Sequence, residues 1–159
     1  MWARFSSSSV RFVAVAIATL FIASSPSVAS TPQSSSGTFG PTGSGTITTR
    51  TADGNVIIDI AARPGAFTGT FAGTYSEDLR IVVHKDGSDN FSAELTCACV
   101  VDGRTGTMTV KLDGTGSLPG GTFQAHYRIV AGTGDLANLR GEGMLSFPPP
   151  TYSGEHHFD

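Results

Sequence analysis

The stretch Gly132-Thr133-Gly134-Asp135-Leu136-Ala137 has the G-x-G-x-x-G/A spacing of a dinucleotide-binding turn. That chemistry needs glycines that let the backbone approach a pyrophosphate, and a helix whose N-terminus holds it. It also needs a βαβ unit of about 30 residues. Arg128 to Phe147 spans 20 residues, and the helix-friendly part, 135–140, is six residues long before Gly141 ends it. Asp135 would lie beside the phosphates and repel them. The stretch therefore reads as a strand, a glycine turn, one helical turn near 135–140 and a second strand. Asp135 is placed to cap that turn. Leu136 and Leu139 are placed to plug one end of the fold.

The other reactive residues are sparse. Cys97 and Cys99 are one residue apart, so in a strand they point to the same face. Their Cα atoms would lie near the upper limit of about 6.8 Å for a disulfide. A bridge or half of a soft-metal site is the sharper reading, and two small buried side chains on a core face is the favoured one. His156-His157-Phe158-Asp159 ends the chain. Adjacent histidines in a strand face opposite ways, so the pair is no chelate; the segment reads as a frayed terminal strand with wet polar residues, and no metal is expected. His84 and His126 fall on polar faces. The acids Asp59, Glu77, Asp78, Glu94, Glu142 and Glu155 are scattered. Asp59, between Ile58 and Ile60, reads as an outward acid on a half-buried strand in preference to a buried one with a raised pKa. Neither a G-x-S-x-G elbow nor an H-E-x-x-H pair occurs.

Aromatic residues offer a different chemistry. Phe71, Tyr75, Phe123 and Tyr127 recur beside the small residues Gly69, Gly73 and Ala125. They can line a cavity or fill a core.

The elements that must position these residues are nearly all strands. Short apolar or alternating runs end at turn pairs, and Asp53-Gly54, Asp86-Gly87 and Asp102-Gly103 join consecutive runs. Asp-Gly between such runs is a hairpin signal. In 122–130, Phe123, Ala125, Tyr127 and Ile129 share one face, against Gln124, His126 and Arg128. In 107–113, Met108, Val110 and Leu112 oppose Thr109, Lys111 and Asp113. The runs 55–62 and 79–84 are apolar on both faces, so an outer cover is expected, and a second copy of the chain is one candidate. The expectation is an all-β domain: an antiparallel up-and-down barrel of about eight strands, spanning 46–159. Closure is how such a chain removes exposed edges.

Upstream, Arg4 and Arg11 precede a 12-residue apolar run, Phe12–Ala23, and Ser27-Val28-Ala29 follows with small-x-small spacing. This reads as a signal peptide over 1–29. The apolar run is too short to span a bilayer, which takes about 20 residues, so stable membrane insertion is not expected. Residues 30–45 are rich in Ser, Thr, Gly and Pro and read as a disordered tether. Removing 1–29 leaves eight basic residues against 13 acidic ones, a formal charge of −5. Such a surface argues against a nucleic-acid partner.

The segments Asp86–Phe91, Val101–Val110, Gly114–Gly134 and Leu136–Gly143, with "DGRTG" followed by "GTGDLANLRGEG", resemble a bacterial family of unknown function with an allene-oxide-cyclase-type barrel. Phe67–Ser76 is similar less specifically. Plant dirigent proteins share a similar glycine turn. The resemblance implies a barrel with a central cavity and, by likeness to allene oxide cyclases and dirigents, no cofactor. It implies no particular reaction, since function resides in the site and not in the fold. Leu95 stands where members of that family often carry an acid, and Glu94 falls on the opposite face.

The cavity-lining set expected from alternation and resemblance is Phe71, Tyr75, Leu95, Cys97, Phe123 and Tyr127. The expected function is a secreted protein, extracellular or periplasmic, that holds a small apolar or aromatic molecule. A cofactor-independent cyclase or isomerase, and a structural barrel with a filled core, are the alternatives. N-terminal sequencing of the exported protein should start at Ser30; a start at Met1 or Trp2 would mean that the leader is retained.

Overall fold

The computed structural model describes residues 30–159, so the expected signal segment lies outside the described residues. The chain folds into nine antiparallel strands: β1 (Gln33–Pro41), β2 (Thr46–Ala52), β3 (Asn55–Gly69), β4 (Ala72–Val83), β5 (Ser88–Val101), β6 (Arg104–Ser117), β7 (Thr122–Gly132), β8 (Leu139–Phe147) and β9 (Thr151–Phe158). Consecutive strands from β3 to β9 pair as a meander, β9 pairs with β1, and β1 pairs with β3. Eight strands thus close a ring, and the expected all-β up-and-down barrel is what the chain forms.

The tether expected over 30–45 is not there. Gln33–Pro41 is the strand that shuts the barrel, with Gly37–Pro41 on β3 and Gln33–Thr38 on β9. Its composition is polar because half of it faces solvent, and backbone pairing on both sides holds it in place of apolar side chains. β1 and β2 run in line along the same edge of β3, β1 on residues 65–69 and β2 on 55–61. β2 is the outlying ninth strand.

Local turn chemistry explains the hairpins. Asp53-Gly54 and Asp102-Gly103 both have positive φ at each residue, as a two-residue type I′ turn requires. Asp86-Gly87 sits in a wider connection, where the Asp86 carboxylate accepts from the Ser88 amide and hydroxyl. The Gly132–Ala137 fingerprint is a turn. The helical turn expected near 135–140 is present as a single 3-10 turn, Gly134–Leu136, and Gly134 has φ +61. Thr133 takes the cap position and makes no side-chain cap bond, so Asp135 does not cap it. Leu136 and Leu139 are fully buried, and with Val101 and Met108 they plug this end of the barrel.

The middle of the barrel is filled by rings lying over glycines. Tyr75 covers Gly65, Tyr152 covers Gly37, and Tyr127 covers Gly143 and Gly154. All four glycines point inward, where a side chain would collide with the ring. Phe71 stacks on Tyr152 at 5.0 Å, and Phe67 meets Tyr75 at 4.9 Å. The Tyr152 hydroxyl accepts from the Phe71 amide and donates to the Thr68 carbonyl. A void of about 10 Å³ among these rings is at the lower limit for one water.

This layer yields a prediction. A Cβ on Gly143 would stand 2.7 Å from the Tyr127 ring and 2.6 Å from Gly154 Cα. Gly143→Ala should therefore cost about 1–3 kcal/mol, the usual penalty of overpacking, read as a lowered denaturation midpoint. An unchanged midpoint would show that the layer is not tight.

Candidate functional site

Above the ring layer the barrel is hollow. A cavity of about 400 Å³ opens at the end formed by the β6–β7 hairpin, the β8–β9 turn and the end of β1. Apolar side chains make most of its wall: Leu79, Ile81, Leu95, Leu112 and Leu145, with Phe39, Phe91, Phe123 and Phe147. Phe123 is the hub of the aromatic group, 6.0 Å from Phe39, 5.5 Å from Phe91 and 5.7 Å from Phe147.

Three charged residues share that wall: Arg63, Glu77 and Asp89. Glu77 and Asp89 are each 5 % exposed. Glu77 alternates with Tyr75 and Leu79 on the inward face of β4. Arg63 faces it by a different route. Between Ile60 and Arg63 the β3–β4 register slips, with one extra residue on β3. Ala62 takes φ +52 there, and its amide donates to Asp78 Oδ1 at 2.8 Å. This bulge reverses the inward-outward parity of the strand. It brings Arg63 directly opposite Glu77, where Nε donates to Oε2 at 2.7 Å.

Burial is the main influence on Glu77 and holds its carboxyl above the usual range, with Arg63 pulling the other way. Burial, reinforced by the Glu77 carboxylate, pushes the Tyr75 phenol up to about 12. Both groups shed their protons less readily than in water.

Of the six residues expected to line a cavity, Tyr75, Leu95 and Phe123 do so. Phe71 and Tyr127 lie in the packed ring layer below it. Cys97 is also below, fully buried and joined to Cys99 by a disulfide, with Cα atoms 5.4 Å apart. The favoured reading of two unbridged core cysteines is thus corrected: strand alternation sets both sulfurs side by side in the sealed half of the barrel. Gly69 and Gly73 do not make the room expected of them. They flank the β3–β4 turn, and a Cβ on either would strike backbone.

Several cavity-lining residues were not placed there by the sequence reading. Glu77 carries the inward parity of Tyr75 and Leu79, so alternation could have found it. Arg63 could not be found, because the bulge is not legible in the sequence. Phe39 lay in the supposed tether.

Other candidates resolve plainly. Asp59 is outward and bound by two guanidiniums, with Arg80 Nε at 2.6 Å and Arg50 Nη1 at 2.5 Å. Arg80 first, then Arg50, holds its carboxyl below the usual range. Glu94 is also outward, near Lys111. The chain end is not frayed. β9 lies between β8 and β1, and His156 is 1 % exposed with Nε2 2.9 Å from Asp102 Oδ2. His157 faces the other way, toward Asp159. Among the described residues no three His, Cys, Asp or Glu side chains gather as a metal site.

A family model described as "Protein of unknown function (DUF3224)" matches residues 35–158. The chain belongs to the DUF3224 family. The match begins within β1 and runs to the end of β9 of the DUF3224 barrel. A crystal structure of a DUF3224 protein with unknown function from Shewanella oneidensis MR-1 is similar at a TM-score of 0.61. Identity is 19 %, over 81 % of this chain and 97 % of that one, so the likeness carries the fold alone. No curated protein matches. These comparisons establish family and architecture, and they bring no activity to the DUF3224 cavity.

The Glu77 carboxyl sets a pH dependence. Its pKa is raised in the folded barrel, so the folded state holds the proton more tightly than the unfolded chain does. Stability linked to Glu77 is fully present below its ordinary value of 4.5 and is lost as pH rises through the raised folded value. Glu77→Gln should therefore gain on the native protein as pH rises from below 4.5 toward neutrality. Denaturant midpoints of the two proteins across that range check it. A difference that stays flat with pH, or moves the opposite way, would exclude it.

Proposed function

We propose that this barrel binds a small, largely apolar molecule in its open half. The observation that carries the reading is the cavity of about 400 Å³, walled mainly by leucine and phenylalanine, beside a packed and plugged lower half. Ligand pockets span about 300–1,000 Å³ and combine apolar walls with a few placed polar groups. The Arg63–Glu77 pair and the Tyr75 phenol supply such groups on this wall. A fully packed structural barrel would need no such hollow. With a leader like that of 1–29, we propose that binding takes place outside the cytoplasm.

A cofactor-free isomerase or cyclase is the second reading. Glu77 favours it as a carboxyl that retains its proton more readily than usual, at the wall of an apolar cavity. The Arg63 partner, at hydrogen-bond distance, counts against Glu77 as a free acid.

The test is titration with a neutral fluorescent probe such as N-phenyl-1-naphthylamine. Saturable binding with a blue shift is expected. Leu112→Trp, which fills the hollow from β6, should weaken binding by about tenfold or more, a loss of about 1.4 kcal/mol. Non-saturable binding, or binding untouched by Leu112→Trp in a folded variant, would count against the cavity as the site.

A further inference from the structure

Asp89 is the one charge in the cavity that the Arg63–Glu77 pair does not explain. It sits near the mouth on β5, inward and 5 % exposed. Its carboxylate makes no hydrogen bond or ion pair among the described residues, and it lines the cavity. Arg63 and Glu77 neutralise each other, so Asp89 leaves the wall with a net negative charge. Its oxygens are not sealed off, since the fully enclosed, unpartnered side-chain atom among the described residues is His156 Nδ1; they face the cavity space. A ligand group that pairs with this carboxylate must bring positive charge.

The surroundings select what kind. Asp89 Oδ1 and Phe123 Cβ crowd the same point over Gly116, 2.9 Å and 3.1 Å from where a Cβ there would stand. Phe91 is the next inward residue on β5, and its ring meets Phe123 edge-on at 5.5 Å. Phe39 and Phe147 extend the group. Phenyl faces carry negative quadrupole potential and attract organic cations. The carboxylate and the rings therefore favour the same ligand, and both disfavour an anion. A hydrated inorganic ion would gain nothing from the four phenylalanines.

Resting on the reading of the cavity as a ligand site, we infer that its ligand is an organic cation: an apolar or aromatic body bearing an ammonium group. The ammonium sits against Asp89 and the Phe91–Phe123 faces, and the body fills the hollow down to Leu95 and Tyr75.

Calorimetric titration of the purified full chain with three matched probes tests this. Naphthalen-1-ylmethanamine, naphthalen-1-ylmethanol and 1-naphthoate share a body and differ in charge. The amine should bind about tenfold more tightly than the alcohol, and the acid most weakly. Asp89→Asn should erase the preference for the amine, dropping its affinity to about that of the alcohol. Phe123→Leu keeps the carboxylate and should narrow the preference, which holds the test open if the Asn variant fails to fold. An alcohol that binds as tightly as the amine, or a preference that survives Asp89→Asn, overturns the inference and leaves the apolar cavity standing. Failure of all three probes to bind overturns the cavity reading itself.

Discussion

The barrel depends on aromatic rings lying over inward glycines. An eight-stranded ring has an interior that side chains can just fill. Here Tyr75, Tyr127 and Tyr152 fill the middle by lying flat across neighbouring strands, which is feasible only where those strands carry no side chain. Each ring therefore constrains two strands at once. Tyr152 reaches further, joining its own strand to the β3–β4 turn through its hydroxyl. Tyr127 does the same with Ser35 of β1 at 3.0 Å. The Tyr127 hydroxyl thus helps seat the strand that shuts the barrel, and that strand has little apolar surface of its own.

Because the rings occupy the middle, the two ends of the barrel differ. Below them, Leu136, Leu139, Met108 and the bridged cysteines leave no space. Above them the inward positions pass to leucines, Ile81 and four phenylalanines, which wall the hollow without filling it. The hollow is thus a consequence of where the tyrosines stop. Its polarity is set separately by the Ala61–Ala62 bulge, which turns Arg63 to face Glu77. A bulge beside a site is a common way to re-aim one side chain without altering the fold. Asp89, on an undistorted strand, is left without such a partner.

Much of this was legible in the chain. Period-2 alternation placed Met108, Val110, Leu112, Ala125, Tyr127 and Ile129 inward, and all are buried. The Asp-Gly pairs marked three connections, and the Gly132–Ala137 spacing proved to be a turn that plugs an end. Half of the expected cavity residues line it and half lie below, because alternation reports which face a residue is on and not how high in the barrel it stands. Glu77 obeys the alternation and was open to the same logic. Arg63 breaks it. Phe39 and His156 were misplaced for another reason: they belong to terminal segments whose composition suggests solvent, while strand pairing buries them.

The amino-acid sequence by itself determined an all-β chain of hairpin-linked strands with a defined inward face, because side-chain period and turn chemistry are local properties. It also determined the DUF3224 membership of residues 35–158. Only the tertiary structure decided that Gln33–Pro41 closes the ring, that Cys97 and Cys99 are bridged in the sealed half, and that Arg63 and Glu77 meet while Asp89 stands alone. Those outcomes depend on register, on one extra residue in β3 and on which rings reach across to which glycines. Apart from the Cys97–Cys99 bridge, whose place in the sealed half is set by the rest of the barrel, these contacts join residues far apart in the chain, so no local pattern records them.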